Sequence, residues 1–155
     1  MDLKTLIVTR LSDHLDELQS FLKGLPDAQL QERSAPDKRS IGECALHIID
    51  MQDTYLQRVA RMIVEEMPAL ENGSFEEATE NSYPMEELPR RLKEFSEQRK
   101  NLLSLLNALT EQQWVREGVH PQIKHYTIEK CMEGLMRHEE YHFYEMYNMF
   151  FGIDT

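Results

Sequence analysis

Residues 127–152, which read TIEKCMEGLMRHEEYHFYEMYNMFFG, decide the fold of this chain. Seven side chains spaced three or four residues apart form one stripe along the segment: Ile128, Cys131, Leu135, His138, His142, Met146 and Met149. This spacing is the period of an amphipathic α-helix with its apolar side buried. Thr127 is a preferred N-cap residue and Gly152 is a preferred terminator. The segment therefore predicts a long last helix that brings two histidines into the core.

Three earlier segments have the same helical period. Leucine and isoleucine recur at intervals of three and four across residues 3–25, and Pro26 ends this first helix. The second helix opens at residue 40 with the capping box S-I-G-E and continues toward residue 66. A third helix is predicted from about residue 86 to residue 109. Its apolar side is formed by Leu92, Phe95, Leu102, Leu103, Leu105 and Leu106.

The connections between these helices differ in length. Residues 67–87 contain Pro68 and Asn72-Gly73, and they predict a long surface connection between the second and third helices. Thr110-Glu-Gln-Gln113 predicts a short capped turn after the third helix. No segment predicts a convincing β-strand.

The composition favours a single helical domain. A chain of 155 residues, of which 41% are hydrophobic, suits one core. Its six glycines and six prolines are too few for a turn-rich all-β fold. Four helices of about 20 residues around one core predict an all-α four-helix bundle, with residues 1–155 as one domain.

The net charge limits the partners. A formal charge of -11 leaves no basic stripe, so neither nucleic acid nor an anionic membrane is expected to bind. The first residues have no signal pattern, and no stretch approaches the roughly 20 apolar residues that span a bilayer. We therefore expect a cytoplasmic protein in which Cys44 and Cys131 are free thiols in the core.

Three histidines are placed to bind one metal ion. His138 and His142 are four residues apart on the last helix, so their imidazoles lie on one side of it. His47 lies on or beside the core side of the second helix. Each could instead be a core histidine with its own hydrogen-bond partner. Because three separate partners are hard to supply in an apolar interior, the set favours zinc or a related divalent ion.

A protease motif overlaps the same residues. His138-Glu-Glu-Tyr-His142 matches the H-E-x-x-H pattern of zinc metalloproteases. Those enzymes usually take their third ligand from downstream, but only 13 residues follow His142 and none is a histidine. They also hold an extended peptide on the edge of a sheet, and no strand is predicted. We interpret the match as an accidental overlap.

The order of these features resembles the DinB-like (DNA-damage-inducible) family of metal-binding four-helix bundles. Residues 40–50, S-I-G-E-C-A-L-H-I-I-D, look like the family's entry into its second helix, with one histidine ligand and then an aspartate. His120-Pro121, Thr127-Ile-Glu129, His138 and His142 are similar to the loop and last helix that supply the other two ligands. The chain departs from the family pattern at Gln52, at Lys124-His125 and at Glu145, where glutamine is frequent.

The resemblance implies both a site and an architecture. It assigns the metal, zinc or nickel, to His47, His138 and His142, with open coordination positions. It also implies an up-down-down-up bundle, with the long connection between the second and third helices, and a homodimer. Relatives include transferases that use a low-molecular-weight thiol, so the resemblance favours a thiol S-transferase with a small-molecule substrate. A metal-dependent small-molecule hydrolase and a non-catalytic metal-binding or ligand-binding bundle fit the same histidines.

Other residues are secondary candidates for the pocket or for contacts behind the ligands: Asp50, Glu139, Glu145, His120 and His14. Glu139 or Glu145 could be a general base, although glutamates on so charged a helix are more often solvated. The aromatic residues between 141 and 151 cover more of the last helix than one buried stripe requires. Some of them are therefore expected to pack in a homodimer interface or against the long connection.

Overall fold

The computed structural model describes residues 1–71 and 84–153, and within them four long helices dominate. The helices are α1 Leu3–Lys23, α2 Asp27–Gln31, α3 Ile41–Val64, α4 Leu88–Ala108, α5 Glu111–Trp114 and α6 Ile128–Phe151. A 3-10 turn, Met85–Glu87, precedes α4. Two short antiparallel strands, β1 Glu117–Gly118 and β2 Tyr126–Thr127, precede α6. The all-α four-helix bundle is confirmed, with α1, α3, α4 and α6 as its members.

Side-chain caps define where the long helices begin. The Ser40 hydroxyl accepts a hydrogen bond from the Glu43 N–H, and the Glu43 carboxylate accepts one from the Ser40 N–H. Thr127 accepts from the Lys130 N–H at the start of α6, and Gly152 ends that helix in the left-handed conformation with φ 68°. A residue with a Cβ is disfavoured at such a φ, which explains the glycine. These ends place His47, His138 and His142 at defined heights in the bundle.

Pairs of contacting residues set the direction of each helix. The pairs are Cys44–Glu145 and His47–His138 for α3 with α6, His14–Glu139 and Glu17–Tyr147 for α1 with α6, and Asp50–Arg91 and Gln52–Gln98 for α3 with α4. From one α3–α6 pair to the next, the residue number rises on α3 and falls on α6, so these helices are antiparallel. In the α1–α6 and α3–α4 pairs both numbers rise together, so α6 is parallel to α1 and α4 is parallel to α3. The topology is therefore up-down-down-up, as expected. Both α1 and α3 pack mainly on α4 and α6. Therefore α1 and α3, although successive long helices, lie diagonally opposite each other in the bundle.

The core consists of two apolar clusters with a polar layer between them. One cluster includes Ile7, Leu102 and Leu135, and the other includes Leu18, Phe95, Met146 and their neighbours. On every long helix a buried polar residue falls between members of the two clusters: His14, Gln52, Arg99 and Glu139. The candidate metal ligands lie at this same level of the bundle.

Several details differ from the sequence prediction. The short helix α2 and the strands β1 and β2 were not predicted. Leu105, placed on the apolar side of α4, is 37% exposed, because Ser96 and Arg99 occupy the buried side with Phe95. Most of the long surface connection predicted over residues 67–87, including Asn72-Gly73, lies outside the described residues. Within the described ranges, no helix has the length and apolar character needed to cross a membrane.

Candidate metal centre

The three predicted ligand histidines converge on one point. The His138 Nε2 atom lies 3.1 Å from the His47 Nε2 and 3.1 Å from the His142 Nε2. Two nitrogens bound to one ion at about 2.0–2.1 Å would be separated by about 3.0–3.5 Å. The observed spacing therefore fits three ligands of a shared divalent ion. His47 and His142 are buried, and His138 is half-buried.

Burial keeps these imidazoles in the metal-binding form. Desolvation, with the nearby Arg39 charge and the neighbouring imidazoles, lowers the pKa of His47 to about 2. Desolvation, together with the charge of His142, lowers the pKa of His138 to about 4. Neutral imidazole offers a lone pair to a metal, whereas imidazolium does not. Both side chains are therefore neutral and ready to bind a cation near pH 7.

Glu145 contacts the outer nitrogen of a ligand histidine. Its Oε2 lies 2.9 Å from the Nδ1 of His142, on the opposite side of the ring from the converging Nε2 atoms. Burial acts to raise the pKa of the Glu145 carboxyl, but hydrogen bonds from His142 and Tyr141 outweigh it and the pKa is lowered. The Cys44 thiol lies 3.9 Å from the same carboxylate. Burial, then the Glu145 charge, raises the pKa of Cys44 to about 12, so this sulfur stays protonated.

Three imidazoles alone would leave coordination positions on a bound ion for other molecules. Among residues 1–71 and 84–153, no fourth His, Cys, Asp or Glu belongs to the group formed by the three imidazoles. Cys44, His142 and Glu145 form a second close group, in which the Nδ1 of His142 lies 2.9 Å from the Glu145 carboxylate.

Glu139, the glutamate of the H-E-x-x-H match, lies outside this centre. It is 0% exposed, and its carboxylate accepts hydrogen bonds from Arg99. The Nδ1 of His14 lies 2.9 Å from the same carboxylate. Burial acts to raise the pKa of Glu139, but the Arg99 charge and the hydrogen bonds with His14 and Arg99 together outweigh it, and the pKa is lowered. Glu139 is therefore neither a solvated glutamate nor placed as the base of a metalloprotease.

The remaining candidates have other contacts. His14 is buried against Glu139 and the ring of Phe143. Asp50 forms an ion pair with Arg91 at 2.6 Å. The His120 Nδ1 accepts hydrogen bonds from two loop N–H groups, and its ring packs on Tyr126. His138 lies ten residues after Ile128, the first residue of α6, which is about 15 Å of helical rise. His120 packs on Tyr126, which precedes this helix, and so lies away from the ligands.

Sequence reasoning missed Arg99, which contacts Glu139, and the role of Gln52, which contacts Arg99. The Arg99 Nε donates to the Gln52 Oε1 at 2.7 Å, and its Nη1 donates to the Leu11 carbonyl at 2.9 Å. A signal was present, because Arg99 follows Phe95 by four residues and precedes Leu102 by three. It therefore stands on the apolar stripe of α4, where an arginine requires a buried partner.

Comparisons with known proteins agree with this architecture. The sequence model of the DinB superfamily matches residues 10–146, a range that contains all three histidines. Among solved structures, the fold is similar to that of YfiT from Bacillus subtilis, with a TM-score of 0.79 and 19% identity over 97% of this chain and 89% of that one. YfiT is described as a probable metal-dependent hydrolase with an unusual four-helix bundle topology. No curated protein sequence gives a significant match.

Proposed function

Because the chain belongs to the DinB superfamily, we propose that it is a divalent-metal-dependent enzyme acting on a small molecule. His47, His138 and His142 would hold the ion, which we expect to be zinc or nickel. The observation that carries this proposal is the convergence of three Nε2 atoms, two pairs of them at 3.1 Å, in a buried part of the bundle. When bound, the ion would supply a Lewis acid that favours the deprotonated form of a thiol or of water.

The three proposed ligands carry no net charge. Three neutral imidazoles bring no charge of their own, so the charge of a divalent ion would be left for an anionic ligand. Apolar core residues are neighbours of the ligands along the chain: Leu46 and Ile48 beside His47, and Phe143 beside His142. Half-buried His138 marks the side from which a small molecule can reach the centre.

Transfer of a low-molecular-weight thiol is the first candidate reaction. An uncompensated cation favours thiolate, the nucleophilic form of a thiol. The thiols of the protein itself are unsuited to this role, because burial raises the pKa of both Cys44 and Cys131 to about 12. The nucleophile would therefore come from a cosubstrate.

Hydrolysis of a small molecule is the second candidate. It is favoured by the likeness to YfiT, for which metal-dependent hydrolysis has been suggested. Three neutral ligands with an open position are also the arrangement in which a divalent ion makes water acidic enough to act near pH 7. The two reactions differ in the molecule that occupies the open position.

Elemental analysis followed by two parallel assays tests this proposal. Wild type is expected to hold about one divalent ion per chain, His138→Ala to lose it, and His125→Asn, which changes an exposed loop histidine, to retain it. The loaded protein would then be assayed for consumption of glutathione or cysteine with a fluorogenic electrophile, and for hydrolysis of activated esters. Turnover in one assay, lost in His138→Ala, identifies the reaction class. A wild type that takes up neither zinc nor nickel would contradict the proposal, and a loaded protein inactive in both assays would favour a binding protein.

A further inference from the structure

We propose that Glu145 is a positioning residue that holds His142 in the tautomer whose Nε2 lone pair faces His47 and His138. This inference rests on the proposed metal site, but it concerns a hydrogen bond that exists before any ion binds. It would make Glu145 part of the metal-binding apparatus without being a ligand.

The contact with Glu145 favours the tautomer of His142 that carries its proton on Nδ1. The Oε2 of Glu145 lies 2.9 Å from the Nδ1 of His142, within hydrogen-bond distance. An ionised carboxylate can only accept a hydrogen bond, so Nδ1 must donate. A neutral imidazole has one N–H group, which leaves Nε2 with a free lone pair directed at the His138 Nε2, 3.1 Å away.

Glu145 is itself held in place, unlike a surface acid. Its side chain is 31% exposed, and the Cys44 thiol of α3 lies 3.9 Å from its Oε2. The ring of Tyr141 also packs against that of His142 at a centroid distance of 5.2 Å. The carboxylate is therefore fixed by contacts from two helices before it orients the imidazole.

Glu133 on the same helix provides a matched control. Its carboxylate pairs with Arg137 at 3.6 Å, and the Arg137 side chain is largely exposed. Glu133→Gln removes the same charge from α6, about 13 Å along the axis from His142. A general effect of net charge on metal binding would therefore appear in both Glu145→Gln and Glu133→Gln.

Two measurements test the role of Glu145. The ¹⁵N chemical shifts of the imidazole nitrogens in the metal-free protein report the tautomer of His142. Competition against a chromophoric chelator reports the Zn²⁺ dissociation constant. Loss of a hydrogen bond behind a ligand histidine typically weakens metal binding about 10–100-fold. We expect that loss in Glu145→Ala, a smaller one in Glu145→Gln, whose amide oxygen can still accept from Nδ1–H, and none in Glu133→Gln.

The tautomer and the affinity separate failure of this inference from failure of the proposed function. In the metal-free wild type, His142 should be the Nδ1–H form, and in Glu145→Ala it should become a mixture of forms. If wild type binds no Zn²⁺ yet shows this change, the metal site is refuted while the role of Glu145 is supported. If Glu145→Ala keeps both the wild-type tautomer and the wild-type affinity, Glu145 does not position His142. Far-ultraviolet circular dichroism of each variant verifies that the helices are retained.

Discussion

Arg99 on α4 and Glu139 on α6 form a fully buried ion pair in the middle of the bundle. The same arginine donates to Gln52 on α3 and to the Leu11 carbonyl on α1. One side chain therefore connects all four long helices at the level where the two apolar clusters meet. The pair lies beside the candidate metal centre along the chain, because His138 directly precedes Glu139.

Removal of Arg99 should strongly destabilise the protein. Arg99→Met leaves a buried carboxylate without its counter-charge, and such changes cost about 3–5 kcal/mol. The free energy of unfolding from urea titration measures the loss. Arg90→Met, which removes an exposed i,i+4 pair with Glu94, is the control and should change stability much less. Addition of Glu139→Met to Arg99→Met should recover part of the loss, and equal effects of Arg99→Met and Arg90→Met would contradict this account.

The metal-free protein should become less stable as the pH falls below about 6.5. The pKa is lowered from 6.5 to about 2 for His47 and to about 4 for His138. Below pH 6.5 these histidines are therefore protonated in the unfolded chain but remain neutral in the folded chain until the pH approaches the lowered pKa. Their contribution to stability is present above pH 6.5 and is lost progressively on acidification. Between pH 6.5 and 5, above the range in which most carboxylates titrate, we expect a fall of roughly 1–3 kcal/mol.

Urea titrations at several pH values measure this fall. His47→Gln should reduce it, whereas His125→Asn should leave it in place. A His47→Gln variant with the wild-type pH dependence would show that burial of this imidazole does not disfavour its charged form.

The two cysteines should be unreactive in the folded protein. Cys44 and Cys131 are buried, and burial raises the pKa of each thiol to about 12. Because thiolate is the reactive form, a disulfide reagent at pH 8 should titrate neither in native buffer and both in urea. Ser104→Cys, at an exposed position of α4, is the positive control. Rapid native reaction of the wild type would mean that at least one thiol is more accessible than the structure indicates.

We propose that the chain forms a homodimer through the exposed aromatic side of α6. Tyr144 and Phe151 are 61% and 68% exposed and lie two turns apart on the same side of that helix. Light scattering after size exclusion should give twice the mass of one chain for wild type and a lower mass for the double variant Tyr144→Ser, Phe151→Ser. Val64→Ser, which changes an exposed apolar residue at the end of α3, should retain the wild-type mass. A monomeric wild type would exclude this dimer.

The sequence by itself determined where the long helices lie and that the three histidines are on or beside their buried sides, because both depend on local spacing. The 3.6-residue period placed α1, α3, α4 and α6, and caps such as Ser40 and Thr127 placed their ends. The i,i+4 spacing of His138 and His142 placed two imidazoles on one side of α6 whatever that helix packed against.

Only the tertiary structure decided which polar residues serve the site and which serve the core. Glu139 and Glu145 stand on either side of His142 along one helix, yet α1 and α4 enclose the first with Arg99 and His14, while the second contacts the Nδ1 of His142. Their difference depends on which helices face each side of α6, and that follows from the up-down-down-up order. Contacts between residues 40 or more positions apart are set by the packing of the whole bundle. The apolar period of a single helix does not predict them.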